Sequence, residues 1–383
     1  MVTGGTPRTS INTYWGRKYP WITPTDISLN RDMYSSERMI TQDGLDVIRS
    51  LPPNTVLVTC IASIGKNAIL RKLGGCNQQI NAVIPNEDHS PEFLYYLFEY
   101  NKPYLLANSG ITATRIISKA DFSKLNFATP LVEEQRTIAN ALSDVDALLI
   151  KLDQLITKKR DLKQAAVQQL LTGKTRLPGF SGEWEVKSMQ SLGQTYGGLT
   201  GKTKEDFGHG TSCYIPFMNV MTDTVINTEW LEFVDVGATE AQNQVRKGDL
   251  FFNGSSETPE EVGFCSVLME ERPNLYLNSF CFGFRFSQDI KINELFFAYW
   301  FRSKAGRKAM SILAQGATRY NIAKSAFMKL DITLPCEAEQ TAIVTVLGDM
   351  DAEISRLEAR RNKTRDLKQG MMQELLTGRI RLI

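Results

Sequence analysis

The sequence predicts an α+β fold in which two similar globular domains of mixed α/β structure are separated by two long helices. The helices are expected to run antiparallel, to form a coiled-coil-like spacer and to relate the domains by approximate two-fold symmetry. The length of 383 residues is enough for two or three domains of ~100–200 residues each. The deciding observation is an internal repeat, because Pro130 and the residues after it align without a gap with Pro335 and the residues after it.

The repeated segments predict two helical regions, at 130–177 and 335–383. Roughly 22 of about 48 aligned positions are identical, including exposed charged positions that core packing does not explain. Apolar residues alternate by four and three, which indicates a narrow seam facing a partner helix. About 40 residues at 1.5 Å each give a rod of about 60 Å. The predicted helix-packing residues are Ile138, Leu142, Val145, Leu149, Leu152, Ile156, Ile343, Leu347, Met350, Ile354 and Leu357.

The segments 1–129 and 186–334 are predicted to be the two globular domains, with a linker at 178–185. Short runs rich in β-branched and aromatic residues, punctuated by glycine, indicate strands, and helical stretches follow them. Weak similarity joins the two, since Trp21-Ile22 corresponds to Tyr214-Ile215. Residues 180–196 introduce the second domain and have no counterpart before the first, which predicts an entry segment missing at the N-terminus.

Composition excludes several classes of protein. No uninterrupted apolar run of ~18 residues and no secretory signal are visible. Six scattered cysteines without CxxC spacing therefore read as reduced thiols of a cytoplasmic protein. With only two histidines, His89 and His209, far apart in the sequence, a His-rich metal site or a conventional Ser-His-Asp triad has very little to build on.

One segment imitates a phosphate-binding loop. Residues 197–203 read Gly-Gly-Leu-Thr-Gly-Lys-Thr, but the pattern GxxxxGK[ST] needs glycine where Tyr196 stands, and no apolar strand precedes it. The carboxylates of Asp144 and Asp146 lie two residues apart on a helix and so point in different directions. We therefore predict no catalytic residue and no bound cofactor in this chain.

The order of globule, helix, globule, helix resembles the specificity (S, HsdS) subunit of type I restriction–modification systems. The residues that carry the resemblance are the doubled Glu-Gln helix starts at 134 and 339, the doubled Leu-Leu-Thr-Gly ends, and the Pro-Gly-Phe-Ser-Gly-Glu-Trp segment at 178–184. The resemblance covers nearly the whole chain, although only the helical copies carry strong motifs.

The resemblance implies a non-catalytic DNA-binding protein that reads a bipartite target in double-stranded DNA with two target-recognition domains. It further implies two methyltransferase (M) subunits docked on the helical spacer, with a restriction and translocation (R) subunit as an optional further partner. S-adenosylmethionine, ATP and Mg would then belong to those partner subunits, and the assembled complex would methylate adenine at N6 and cleave DNA. No membrane partner is implied.

Polar side chains next to glycine or small residues are the candidates for DNA contact, because such groups read base edges in the major groove. We favour Lys66-Asn67 and the loops Ala113-Thr114-Arg115 and Ala317-Thr318-Arg319. The full set of DNA-binding candidates is Arg17, Lys18, Lys66, Asn67, Asn77, Gln78, Gln79, Thr114, Arg115, Lys202, Lys204, Asn253, Ser255, Ser256, Asn278, Thr318, Arg319 and Tyr320.

Two other functions are compatible with the sequence. The formal net charge is only +2 and residues 178–334 are acidic overall, whereas a stand-alone DNA-binding protein usually has a basic excess. A structural adaptor, with paired helices that assemble proteins and no sequence-specific DNA reading, is the first alternative. An enzyme with unrecognised chemistry in one domain is the second.

Overall fold

The computed structural model describes residues 1–28, 30–110, 114–237 and 239–382. The chain divides into two compact units. Unit 1 comprises Met1–Gln154 and Glu358–Ile383, and unit 2 comprises Leu155–Leu357. Each long helix is therefore shared, with one part in each unit. The units cut across the segments predicted from the sequence because the helix ends pack into the cores of the globular parts.

Unit 1 has a five-stranded sheet and a four-stranded sheet, in the orders β1-β9-β6-β7-β4 and β2-β5-β3-β8. Its strands are β1 (Val2–Thr3), β2 (Trp15–Gly16), β3 (Tyr19–Ile22), β4 (Asp32–Met33), β5 (Met39–Ile40), β6 (Thr55–Thr59), β7 (Asn67–Leu70), β8 (Gly75–Cys76) and β9 (Ile80–Val83). Its short helices are α1 (Gln42–Asp46), α2 (Pro91–Tyr100), α3 (Lys102–Ala107) and α4 (Lys119–Phe122). The first long helix, α5, is Val132–Leu170.

Unit 2 repeats this plan with more strands, in sheets of order β10-β21, β11-β18-β14-β16, β13-β12-β17 and β15-β20-β19. Its strands are β10 (Glu185–Ser188), β11 (Gly193–Gly197), β12 (Phe207–Ile215), β13 (Glu232–Val234), β14 (Leu250–Asn253), β15 (Ser255–Ser256), β16 (Cys265–Val267), β17 (Leu275–Leu277), β18 (Cys281–Phe286), β19 (Ala314–Gln315), β20 (Tyr320–Ile322) and β21 (Asp331–Leu334). Its helices are α6 (Met189–Leu192), α7 (Phe217–Thr222), α8 (Glu294–Arg302), α9 (Lys304–Leu313) and α10 (Lys324–Met328). The second long helix, α11, is Glu337–Leu376.

The long helices start in the same way in the two repeats, which explains the doubled Glu-Gln. In unit 1 the buried Gln135 side chain donates to the carbonyl of Pro130 (2.8 Å) and accepts from the N–H of Ser90 (3.0 Å), the N-cap of α2. In unit 2 the buried Gln340 donates to the carbonyl of Pro335 (2.9 Å) and accepts from the N–H of Asn293 (3.0 Å). Each glutamine thus fixes a long helix to the first turn of a globular helix.

The predicted seam is largely inside the protein. Val145, Leu149, Met350 and Leu357 are half-buried, and the other seven predicted positions are buried. The ends of the seam pack into the globular cores. Ile138 and Leu142 join the core of unit 1, and Ile343 and Leu347 join the core of unit 2. In each unit the end of the other long helix enters the same core, through Leu375 and Leu376 in unit 1 and through Leu170 and Leu171 in unit 2.

All six cysteines are free thiols. No helix in the described ranges has the length and apolar character needed to cross a membrane.

Candidate nucleic-acid interface and the paired helices

The same ion pairs join the long helices in each unit. In unit 1, Asp146 accepts a hydrogen bond from Tyr96 (2.7 Å) and pairs with Lys368 (2.6 Å), whose ammonium lies over the Tyr96 ring. In unit 2, Asp351 accepts from Tyr299 (2.8 Å) and pairs with Lys163. The aspartate comes from one repeat and the lysine from the other, which explains identity at these positions.

A second pair closes each unit near the helix start. In unit 1 the guanidinium of Arg381 donates two hydrogen bonds to Glu134 (2.7 and 2.6 Å), and the N–H of Leu382 donates a third. In unit 2, Arg176 makes the corresponding fork to the buried Glu339. Within each unit, residue numbers rise along one helix as they fall along its partner, so the paired segments are antiparallel.

Acid should weaken the ion pair between Arg381 and Glu134 in unit 1. The guanidinium of Arg381 holds the pKa of Glu134 below its ordinary value of 4.5. The ion pair therefore contributes stability above pH 4.5 and loses it as the pH falls through the lowered pKa. We expect Glu134→Gln to reduce the free energy of unfolding at pH 7, and we expect this loss to shrink as the pH is lowered below 4.5, as measured by urea unfolding across that range. Asp144→Asn, at an exposed site on the same helix, is the control. A loss that stays constant as the pH is lowered would contradict this assignment.

Three loops of unit 1 come together where its main sheet ends. The N–H of Cys60 donates to the carbonyl of Gln79 (2.8 Å), and the N–H of Ala62 donates to the carbonyl of Arg115 (3.1 Å). The residues 60–66, 77–79 and 114–116 form loop cluster 1. It contains the exposed candidates Lys66, Gln78, Gln79, Thr114 and Arg115 and the half-buried Asn77.

Unit 2 builds the corresponding loops in the same way. The N–H of Gly254 donates to the carbonyl of Phe280 (2.9 Å), and its carbonyl accepts from the N–H of Ile322 (3.1 Å). Pairing of β15 with β20 then sets Ser256 opposite Tyr320. The residues 254–256, 278–280 and 318–321 are called loop cluster 2. It brings together the candidates Ser255, Ser256, Thr318, Arg319 and Tyr320.

Three candidates are interior residues, which corrects the prediction that they contact bases. Asn67 is 3% exposed and donates to Glu99 (2.7 Å). Asn253 is fully buried and ties the carbonyl of Glu261 to the N–H of Phe264. Asn278 is 6% exposed and donates to the carbonyl of Ile215 (3.0 Å). The amides of Asn253 and Asn278 bond backbone groups of buried loops, and that of Asn67 bonds a carboxylate, so none of the three is available to a base edge.

The remaining candidates lie outside the clusters. Arg17 and Lys18 are exposed in the turn between β2 and β3. The opposite end of β3 is the one near loop cluster 1, because the carbonyl of Ile22 there accepts a hydrogen bond from the N–H of Asn77. Lys204 is exposed. The Glu240 carboxylate pairs with Lys202 (2.5 Å) and raises the pKa of its ammonium. Ala113, in a favoured loop, lies outside the described residues.

The charge of unit 2 is segregated along the chain. Residues 295–330 contain Arg302, Lys304, Arg307, Lys308, Arg319, Lys324 and Lys329 and no Asp or Glu. This segment includes α9 and the third loop of cluster 2. The net negative charge of residues 178–334 therefore conceals a strongly basic segment at 295–330.

Two of these arginines, Arg302 and Arg307, are half-buried and donate hydrogen bonds to the backbone carbonyls of neighbouring loops. Arg307 donates to the carbonyls of Gly263 (2.7 Å) and Glu260 (2.9 Å), at the return of the loop that starts at Ser255. Arg302 donates to the carbonyls of Cys265 (2.5 Å) and Val220 (2.8 Å). Burial, with Arg302 nearby, lowers the pKa of Arg307 to about 10. In the described residues no cluster of His, Cys, Asp or Glu is placed to hold a metal ion.

Comparison with known proteins agrees with this doubled construction. The family model for the type I restriction modification DNA specificity domain matches residues 1–163 and again residues 182–364. The chain belongs to this family. Its two matched segments cover most of the sequence and follow the internal repeat.

Individual members of the family match over different lengths. The MjaIX specificity subunit of Methanocaldococcus jannaschii is 36% identical over 38% of this chain and 35% of its own length. The HindI specificity subunit of Haemophilus influenzae is 31% identical over 35% of this chain and 30% of its own. The chain thus aligns with only about a third of each of these two relatives. The MjaVIII specificity subunit of M. jannaschii is 23% identical over 83% of this chain and 76% of its own length.

Solved structures share the fold. The HsdS subunit from Thermoanaerobacter tengcongensis superposes with a TM-score of 0.56 at 15% identity, over 99% of this chain and 95% of that one. The type I restriction-modification S subunit from M. genitalium gives 0.53 at 14% identity, over 94% and 93%. The α+β fold predicted from the sequence, and the resemblance to the specificity subunit, are confirmed.

Proposed function

We propose that this chain is the DNA sequence-specificity subunit of a type I restriction–modification complex and reads a bipartite target with one loop cluster per half-site. The observation that carries the proposal is that the two clusters share a backbone construction but present different side chains. A fixed frame with variable exposed residues is what a protein needs in order to read two different sequences. Specificity subunits are also the relatives that the chain resembles.

The basic segment 295–330 supports the proposal against the adaptor alternative. Affinity for DNA comes mainly from phosphate contacts by lysine and arginine. This stretch adjoins loop cluster 2 and has five exposed cations and no acidic residue, so the acidic total of the domain is no objection to DNA binding. The adaptor alternative gives no reason for this segregation.

Catalysis would be the work of partner subunits, which we propose are two methyltransferase subunits docked on the helical spacer. The matching ion pairs in units 1 and 2 mean that similar helix surfaces occur twice, which suits two copies of one partner. S-adenosylmethionine would come with those subunits, and ATP and Mg with a restriction subunit where one is present. In this proposal the complex acts in the cytoplasm.

The proposal is tested by expressing the chain with its methyltransferase and sequencing the methylated genome. We expect a split motif with N6-methyladenine in each half, and its loss when this chain is deleted. Helix-dependent binding to the partner without any sequence motif would favour the adaptor. Turnover of a nucleotide or cofactor by the isolated chain would favour an enzyme.

The exposed arginines of the clusters give a sharper prediction. Arg319→Ala is expected to cost ~1–3 kcal/mol of binding at one base position of one half-site, because an arginine bound to guanine discriminates by that amount. Arg115→Ala is expected to do the same in the other half-site. Competition binding with single-base variants of the target measures both. Equal weakening on every sequence would identify a phosphate contact instead.

A further inference from the structure

Phe280 is a large apolar side chain at the tip of the loop between β17 and β18, and it is 59% exposed. It borders a shallow depression of about 410 Å³ together with Thr200, Ser255 and Asn321. A single exposed aromatic residue is common on protein surfaces and carries no argument by itself. The backbone beneath this one, however, is fixed.

The backbone that carries Phe280 is held by two hydrogen bonds and by a close approach of Gly198 to Asn278. Its N–H donates to Oδ1 of the buried Asn278 (3.0 Å), and its carbonyl accepts from the N–H of Gly254 (2.9 Å). A Cβ added to Gly198 would lie 2.0 Å from the carbonyl oxygen of Asn278, so this close approach requires glycine. The loop is therefore fixed, and the phenyl ring is presented at a defined place in loop cluster 2.

The same position in unit 1 holds Gln79. Its carbonyl accepts from the N–H of Cys60, as that of Phe280 accepts from Gly254. The residue two positions earlier also corresponds in the two units. The N–H of Asn77 donates to the carbonyl of Ile22, and the N–H of Asn278 donates to the carbonyl of Ile215. Both side chains at the tip are exposed. One rigid frame thus carries a hydrogen-bonding side chain in one unit and a purely apolar side chain in the other.

We propose that Phe280 is a specificity-determining residue that contacts the C5 methyl group of a thymine in one half-site, while Gln79 reads the other half-site by hydrogen bonds. This inference rests on the proposed function. The thymine methyl is the apolar feature of the major groove, and a phenyl ring can select it although it forms no hydrogen bond with a base. Glutamine pairs with adenine at N6 and N7 through its amide.

The test uses the purified complex and synthetic duplexes that carry its recognition sequence. Each thymine of the half-site is replaced in turn by deoxyuridine, which removes only the methyl group. We expect one position at which the wild-type complex binds roughly five-fold more weakly, about 1 kcal/mol. The Phe280→Ala variant should bind the thymine duplex and the deoxyuridine duplex with equal affinity. The Phe280→Leu variant should keep part of the preference for thymine.

Matched controls separate this contact from general surface effects. Phe233→Ala removes an aromatic side chain that is 54% exposed on β13 of the same unit, and it should leave the deoxyuridine profile unchanged. Preferences in the other half-site should also be unchanged in Phe280→Ala. The inference is overturned if there is no thymine position at which loss of the methyl group weakens binding by the wild-type complex but not by Phe280→Ala. It is also overturned if Phe280→Ala weakens binding to all duplexes equally. A wild-type complex with no sequence preference would instead overturn the proposed function.

Discussion

Inserting a heptad into both long helices is expected to widen the spacer between the half-sites by a few base pairs and to leave both half-sites unchanged. The insertions are a copy of residues 148–154 after Gln154 and a copy of residues 358–364 before Glu358. They fall where each helix passes from one compact unit to the other. Seven residues add about 10 Å of helix, and each base pair adds ~3.4 Å of DNA.

The structure suggests why both helices must be lengthened together. In unit 1, Asp146 pairs with Lys368, and in unit 2, Lys163 pairs with Asp351. A heptad in both helices keeps every such pair and the apolar seam, because the seam repeats every seven residues. A heptad in α5 alone lengthens one helix without its partner. It should reduce stability and abolish a defined spacer, and it is the control.

Methylome sequencing of cells that express each variant with the methyltransferase measures the spacer directly. The wild-type chain defines the starting motif. If the double insertion is folded and active but its spacer is the same as in the wild-type chain, the helices do not set the distance between half-sites. The proposal that they act as a ruler would then be wrong, whereas DNA reading by the loop clusters would be untouched.

The sequence was informative about the helices because their signals are local. The seam of apolar residues and the glycines at 173 and 378 predict helices and their ends, and both glycines have positive φ, as a helix C-cap requires. The repeat itself showed that two units share one plan. The strand order of the sheets could not be read from the sequence, because it depends on pairing between distant segments.

The candidate site was predicted less well because residue type does not report burial. Asn67, Asn253 and Asn278 looked like base-reading amides, but they are buried; Asn253 and Asn278 bond backbone groups, and Asn67 donates to Glu99. Phe280 was missed since an aromatic residue in a β-rich region is expected to be in the core. The basic segment 295–330 is visible in the sequence, but acidic segments elsewhere in the same domain outweigh its charge in the domain total.

Asp249→Ala is expected to destabilise unit 2 by ~3–5 kcal/mol, because it removes one partner from a buried ion pair. Asp249 is 1% exposed and accepts from the hydroxyl of Tyr196 (2.6 Å) and from two nitrogens of Arg285 (2.8 and 2.6 Å). Burial beside this carboxylate raises the pKa of Tyr196, so the phenol stays protonated and donates. Without Asp249, Tyr196 loses its acceptor, and Arg285 loses its buried counter-ion and keeps the carbonyl of Gln244.

Urea unfolding of the full chain, with hydrogen exchange followed at β11, β14 and β18, measures the size and the place of the loss. Asp289→Ala, at an exposed site in the same unit, should change stability by less than ~0.5 kcal/mol. A loss below about 1 kcal/mol for Asp249→Ala would contradict the assigned role.

The same contacts explain why residues 197–203 are not a phosphate-binding loop. Tyr196 stands where the pattern needs glycine and is fixed by Asp249, so Tyr196→Gly should unfold this sheet rather than create a nucleotide site.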